Sequence, residues 1–267
     1  VHARAAVFDL YGDHLRDRGN WAPIASIIRL LGAVDIASPA VRTAVSRLVR
    51  EGWLERVERE GQRGYAATPR ARDRLAEAWR RIYRTDESPW DGRWHVVILR
   101  RPQDRTVRAR VAAGLGYLGY ARLARDTWVA PRPNPELSSA LRTEGVTCTA
   151  FHADYGDDGH DLAAGLWDLA GLADDYRGFL EQTRLLRARL PADPDPQLAF
   201  ASRTELVHEW RKFLFRDPGL PPQVLPPVWP GHEAAALFDQ TSAVLLPPAR
   251  AFVDQCLAGE ELAGQAH

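Results

Sequence analysis

Ser38-Pro39-Ala40-Val41-Arg42-Thr43-Ala44-Val45-Ser46-Arg47-Leu48-Val49-Arg50-Glu51-Gly52 is the stretch on which the fold turns. Wound as a helix, it sets Val41, Val45, Leu48 and Val49 at i, i+4, i+7 and i+8, one buried stripe. Arg42, Thr43, Ser46, Arg47 and Arg50 share the opposite, solvated face. Ser38 suits the N-cap, Pro39 the first turn, and Gly52 the position after the last turn. A face of arginines and short hydroxyl side chains with almost no acid suits a DNA major groove, where Arg reaches guanine edges or phosphates. An amphipathic surface helix with a solvated basic face has the same pattern. The neighbouring segments decide between the two.

Upstream, Pro23 to Leu31 reads as a short apolar helix carrying Ile24, Ile27, Ile28 and Leu31, and Gly32 to Ala37 is short enough to be the turn of a helix-turn-helix. Downstream, Trp53 to Val57 reads as a strand, Glu60-Gly61-Gln62-Arg63-Gly64 as a polar turn, and Tyr65 to Thr68 as a return strand. Helix, turn, helix and basic-tipped hairpin is the order of a winged helix. In that arrangement the second helix enters the major groove, and Arg59, Gln62 and Arg63 at the hairpin contact backbone or minor groove. The predicted DNA-binding set is therefore Arg42, Thr43, Ser46, Arg47, Arg50, Arg59, Gln62 and Arg63. Arg42, Thr43, Ser46 and Arg47 are expected to face bases, and Arg50 with the hairpin residues mostly phosphate.

The rest of the chain extends this to an α+β protein of three parts: a winged helix with connector helix over 1–85, a second unit over 86–160 and a helical region over 161–267. Ala5 to Arg18 is expected as the first helix, and Pro69 to about Tyr83 as the connector. Asp86-Glu87-Ser88-Pro89 reads as a linker. Trp94 to Leu99 is a near-continuous apolar strand of the kind buried on both faces. A helix over Arg105–Leu118, short strands at Tyr120–Ala124 and Thr127–Ala130, a helix opened by Asn134-Pro135 and a strand over Val146–Phe151 follow. That order, βαββαβ, is the ferredoxin-like split unit. Beyond Asp161 the spacing is helical: one long helix ended by Pro191, another over about Pro196–Phe215, a proline-rich arm over 218–230, and helices over Ala234–Leu246 and Pro248–Leu257.

The formal net charge is zero, but residues 1–84 hold 16 arginines against 10 acids, a balance of +6, and the remainder is correspondingly −6. A basic first third on an acidic remainder suits a nucleic-acid-binding head on a body kept off phosphate. Chance clustering gives the same figures, so charge supports the winged helix without proving it. No apolar run approaches membrane-spanning length and no signal-peptide core is legible, so a soluble cytoplasmic protein without membrane partners is expected. Cys148 and Cys256 stand far apart with no CxxC, indicating neither a disulfide framework nor a zinc ribbon.

Several segments together resemble the PaaX family of bacterial transcriptional regulators. They are Phe8-Asp9-Leu10-Tyr11-Gly12-Asp13, Val41 to Leu48, Glu51-Gly52-Trp53-Leu54 and Pro89-Trp90-Asp91-Gly92-Arg93-Trp94. Glu209-Trp210-Arg211-Lys212-Phe213, Leu225-Pro226 and Trp229-Pro230-Gly231 complete them. The resemblance spans nearly the whole chain. It implies a homodimeric regulator that binds a double-stranded DNA operator, and the best-known members look like repressors of phenylacetate catabolism released by phenylacetyl-coenzyme A. The family's middle domain is similar in fold to the small nuclease-like subunit of CRISPR adaptation complexes, which carries a metal-binding acid at the end of its first strand. Here that stretch is Val97-Ile98-Leu99-Arg100-Arg101, a departure that argues against metal-dependent cleavage there.

Two other constellations carry possible chemistry. His152-Ala153-Asp154-Tyr155-Gly156-Asp157-Asp158-Gly159-His160-Asp161 is dense in oxygen and imidazole ligands, with His152, Asp154 and His160 the candidates for a divalent cation. A solvated acidic connector accounts for the segment equally simply. Arg211, Lys212 and Arg216 beside Trp210 are candidates for an effector bearing phosphate and an apolar tail, such as an acyl-coenzyme A; a basic helix C-terminus has the same composition. No nucleophile elbow, P-loop, dinucleotide fingerprint or Cys/His pairing occurs, and no cofactor and no catalytic residue are expected. Three functions stay open at this point. The first is an effector-released DNA-binding regulator. The second is a metal-dependent nuclease using the ferredoxin-like unit and the His152–Asp161 loop. The third is an acyl-coenzyme-A-binding protein whose winged helix docks a partner.

Overall fold

Ala6, Val7, Leu10, Tyr11 and Leu15 are all buried, and the helical segment that carries them is the hub of the N-terminal region. In the computed structural model, which describes residues 2–59, 61–83, 89–100 and 102–258, this segment is not the single helix its spacing predicts. Helix α1 (Ala3–Asp9) passes into a π-helical turn (Leu10–His14) and then a 3₁₀ turn (Arg16–Arg18). The wide turn is closed by Leu15 N–H donating to Leu10 C=O at 3.0 Å, an i→i−5 bond. The extra residue per turn lets Leu10, Tyr11, His14 and Leu15 all point inward.

Strand β1 (Trp21–Pro23), helices α2 (Ile24–Gly32) and α3 (Ser38–Arg50), strands β2 (Leu54–Arg59) and β3 (Gln62–Ala67) and helix α4 (Pro69–Ile82) follow. The three strands form an antiparallel sheet in the order β1-β3-β2. β1 has no signal in the sequence, being three residues long and paired with residues more than forty positions away, Trp21 opposite Ala66. The N-cap of α3 is Ala37 rather than Ser38, which lies within the first turn, and no side chain caps it. Its C-terminus ends as expected. Gly52 stands at φ +72°, its N–H bonds Val49 C=O, and Trp53 N–H reaches back to Leu48 C=O, a Schellman arrangement.

The described residues of 1–86, 179–211 and 235–267 form one compact unit, and those of 87–178 and 212–234 form another. Residues 161–267 thus supply helices to each. In the first unit, Phe200 from α9 (Pro196–Trp210) and Ala249, Phe252, Val253 and Cys256 from α10 (Pro230–Ala258) complete the core around α1, α2 and α3. α10 is one helix where Pro247-Pro248 predicts two. Leu245, Ala249 and Val253, on either side of the prolines, are fully buried, and that packing outweighs the lost backbone bonds.

The second unit is built from β4 (Trp94–Leu99), α5 (Arg105–Tyr117), β5 (Ala121–Ala124), β6 (Thr127–Ala130), α6 (Leu137–Thr143) and β7 (Cys148–Ala153). Its sheet runs β5-β6-β4-β7 with every pair antiparallel, which is the ferredoxin-like arrangement expected from the sequence. Val97, Trp128 and Ala130 pack on one face with Val111, Leu115 and Leu141, while Trp94 and Val129 pack on the other with Ala163 and Val224. β4 is therefore covered on both faces at its start, but Ile98 near its end is 42% exposed. The long helix expected beyond Asp161 is two, α7 (Gly159–Leu166) and α8 (Leu169–Arg189). Trp167 between them turns extended and stacks on Trp94, and Asp168 accepts from Gly171 N–H to start the second. Of the expected linker, 86–88 lie outside the described residues, as do Glu60 of the hairpin turn and Arg101.

Candidate nucleic-acid interface

Helix α3 buries Val41, Ala44, Val45 and Leu48 to within 5% of full burial, and this one-sided packing determines what its other face offers. Arg42, Thr43, Ser46, Arg47 and Arg50 are all exposed. Thr43 Oγ1 donates to Pro39 C=O at 2.9 Å, so its hydroxyl is engaged with the preceding turn, and a phosphate contact requires it to rotate away. The four arginine and serine side chains of that face make no hydrogen bond or ion pair among the described residues.

The hairpin distributes its cations differently. Arg59, at the end of β2, donates to Gly19 C=O at 3.3 Å and lies 5.5 Å from the centre of the Trp21 ring, so its guanidinium is held against the protein. Arg63 on β3 is 94% exposed, with Glu58 no nearer than 3.9 Å. Gln62 is half-buried and pairs in register with Arg59. Trp21 Nε1 donates to Val57 C=O at 3.1 Å and so pins the hairpin to β1. Exposed Arg56 on β2 and Arg70, whose guanidinium lies 4.4 Å from the Trp53 ring centre, add cations that helix and turn patterns did not single out.

Behind this surface lies a buried charge network that sequence spacing missed. Asp13, in the π-helical turn, accepts from Arg203 Nε and NH2, both at 2.8 Å, and from Tyr83 OH at 2.7 Å. Arg203 NH2 also donates to Tyr83 OH, and its NH1 to Ser242 C=O. Burial alone would raise the Asp13 carboxyl, but the adjacent His14, the Arg203 charge and these hydrogen bonds hold it below the ordinary carboxylate range. His14, packed on Phe200 and shielded from water, is pushed down to about 4 by burial despite the nearby Asp13. Nearer the start of the helix, Asp9 faces His208 Nδ1 at 2.9 Å and Arg211 Nε at 2.9 Å. Two acids four residues apart on an otherwise apolar helix face were the available signal.

The candidate effector residues are largely committed to the protein. Trp210 is buried, stacks on Phe238 and donates from Nε1 to Ile82 C=O at 3.1 Å. Arg211 faces Asp9, and Arg216 forms an ion pair with Asp175. Lys212 is exposed. The candidate metal ligands do not converge. His152 lies on β7 with its ring 5.2 Å from that of His95, Asp154 faces Arg93 at 3.7 Å, and His160 is turned toward Val224 C=O at 3.3 Å. Asp158 is occupied as the N-cap of α7. Among the described residues, no three His, Cys, Asp or Glu side chains group as metal ligands do.

Comparison with known proteins places most of the chain in one family. The profile described as PaaX-like protein matches residues 2–71, the PaaX protein central Cas2-like domain 87–164, and the PaaX-like protein C-terminal domain 167–255. The chain is 30% identical to the transcriptional repressor PaaX of Escherichia coli (strain K12) in an alignment of 277 positions that covers 99% of this chain and 86% of that protein. Among solved structures, the uncharacterized protein Rv0674 from Mycobacterium tuberculosis superposes with a TM-score of 0.60 at 24% identity, covering 94% of this chain and 98% of that one. This second likeness bears on the fold alone.

Proposed function

This chain belongs to the PaaX-like family, and from that premise we propose that it is a DNA-binding transcriptional regulator acting as a repressor. One relative, from Escherichia coli, is a transcriptional repressor, and the head described above has the parts such a role needs. On this reading α2 and α3 form a helix-turn-helix, β2 and β3 form the wing, and α3 lies in the major groove. The observation that carries the proposal is the division of α3 into a buried stripe of Val41, Ala44, Val45 and Leu48, with Val49 half-buried beside it, and an exposed face of Arg42, Thr43, Ser46, Arg47 and Arg50. Arg42 and Arg47 read base edges, while Arg50 and Arg63 contact phosphate. Arg59, Gln62 and Arg56 support the wing.

The regulator acts as a homodimer on a palindromic site, so that two α3 helices enter successive major grooves one helical turn apart. A small acyl-coenzyme A compound is the class of effector that the family resemblance supports. A thermal-shift series with acyl-coenzyme A compounds, against free coenzyme A, tests the effector, and a rise in melting temperature specific to one acyl group is expected. The nuclease alternative has no such support, because its candidate ligands face different partners. Electrophoretic mobility shifts with duplexes recovered from a random pool test the main proposal. The expected result is retention of one sequence class by the wild type and loss of that preference in Arg47→Ala.

A further inference from the structure

The acidic balance of the chain beyond residue 84 is an average over two unlike stretches. Residues 93–143 hold ten arginines against three acids, and residues 154–175 hold seven acids with no arginine or lysine. The fold of the second unit sorts these charges along one sheet. Leu99 N–H donates to Asp126 C=O and Arg100 N–H to Thr147 C=O, both at 2.8 Å, so the end of β4, the β5–β6 turn and the approach to β7 come together. α5 starts at this same end, and Arg110 pairs with Glu144 at 2.7 Å, which adds the C-terminus of α6. Among the described residues, this end carries Arg100, Arg105, Arg108, Arg110, Arg125 and Arg142 against Asp104, Asp126 and Glu144. The three acids are engaged. Asp104 caps α5 by accepting from Thr106 N–H at 2.6 Å, Glu144 is taken by Arg110, and Asp126 is half-buried. Arg108 turns back on its own loop and donates to Pro102 and Gln103 C=O. Arg100, Arg105, Arg125 and Arg142 are exposed, and their guanidinium groups make no hydrogen bond or ion pair among the described residues. At the other end of the same strands, where Trp94 pairs with Ala153, stand Asp91 and Asp154, and Arg93 faces Asp154 at 3.7 Å.

We propose that this arginine-rich end of the central sheet is a second contact for duplex DNA, made to phosphates without regard to sequence. Like charges gathered without counter-charge repel one another and work against a fold, so the interaction that offsets them lies outside the chain. The partner follows from sign and spread. The four free guanidinium groups stand on the end of β4, the start of α5, the β5–β6 turn and the end of α6, across a sheet of four strands roughly 14 Å wide. A duplex carries one phosphate charge for about every 1.7 Å of its axis, so such a spread meets several phosphates at once. Guanidinium groups suit them, donating paired hydrogen bonds to phosphate oxygens. Contacts of this kind add affinity and leave the choice of sequence to the base-reading helix. The inference rests on the DNA-binding reading above and adds to it a surface that α3 and the hairpin do not supply.

Fluorescence anisotropy of the full chain over a series of salt concentrations tests it, with two labelled duplexes of equal length, one recovered from a random pool and one scrambled. The variant is Arg100→Ser/Arg125→Ser. Arg187→Ser/Arg189→Ser, which removes the same charge from exposed positions on α8, is the control. Thermal melting verifies that each protein folds. The variant should bind both duplexes at least tenfold more weakly at low salt, with the ratio of the two affinities unchanged. Its salt slope should be shallower by about 2, one for each arginine lost. The control should match the wild type, and polyglutamate should compete poorly with duplex. A variant with wild-type affinity and slope overturns the proposal, as does a control that loses as much. Polyglutamate that competes as well as duplex assigns the patch to acidic protein surfaces and overturns it too. The two readings fail separately. A wild type that binds both duplexes equally, with the slope still flattened in the variant, sinks base reading by α3 alone. Intact sequence preference with an unchanged slope sinks the second contact alone.

Discussion

Arg47 and Arg63 carry the same charge, and the proposed function gives them different work. Arg47 projects from a rigid helix whose other face is locked in the core, whereas Arg63 stands 94% exposed on a hairpin. A bidentate contact to a base discriminates by about 1–3 kcal/mol. Arg47→Ala should therefore flatten sequence preference by that amount in competition binding, and Arg63→Ala should weaken all duplexes alike and reduce the salt slope by about 1. The buried network gives a second residue-scale prediction. Removing the Asp13 charge as Asp13→Asn leaves Arg203 desolvated without its carboxylate, which should cost on the order of 3–5 kcal/mol in denaturant unfolding. Its pH dependence has a definite sign. His14 is protonated in the unfolded chain below its ordinary value near 6.5 but in the fold only below about 4, so acidification across that window favours unfolding. Asp13, whose folded carboxyl is depressed, contributes stability above the unfolded carboxylate value, and that contribution disappears as pH falls further. Melting temperature should thus fall steadily from pH 7 to 4, and His14→Phe, which keeps the ring against Phe200, should flatten the upper part of that fall.

At the scale of elements, Gly64 fixes the hairpin to the first strand. A Cβ there would meet the Trp21 ring at 2.6 Å and Ala22 C=O at 2.7 Å, and backbone cannot give way. Gly64→Ala should destabilise the head by about 1–3 kcal/mol, measured as a lowered urea midpoint with an unchanged slope. Elements with strong local patterns were legible in the sequence. α3, the presence of a hairpin, β4 and the βαββαβ order follow from period and turn residues alone, but the hairpin strands run further than expected, so Gln62, Arg63 and Gly64 lie on β3 rather than in the turn. What stayed hidden depends on distant partners. β1 exists only because Trp21 pairs with Ala66, and the π-helical turn only because a core must be filled on one side and Arg203 met on the other. α10 continues through two prolines because its flanking residues are buried, which local rules cannot weigh. The candidate site divides the same way. The exposed face of α3 was readable from spacing, but the anchoring of Arg59 to Gly19 and Trp21, and of Trp210 and Arg211 to the head, was not.

For the whole molecule, the +6 balance of residues 1–84 against −6 in the remainder predicts binding by the head that is strongly salt-dependent. If each protomer of a dimer sets Arg50 and Arg63 on phosphate, about four charges are neutralised, and the logarithm of affinity should fall with the logarithm of salt at a slope of roughly −3.6. Asp9 and Asp13 tie the helix that supports α3 to α9, so a perturbation of α9 has a route of buried polar contacts to the exposed face of α3.

The most direct test is selection of duplexes from a random pool by the wild type and by Arg42→Ala/Arg47→Ala, each verified to be folded, at a salt concentration where both bind. The wild type should enrich a two-fold-symmetric motif, and the double variant should recover duplexes without it. Recovery of the same motif by both proteins would contradict the assignment of base reading to the exposed face of α3.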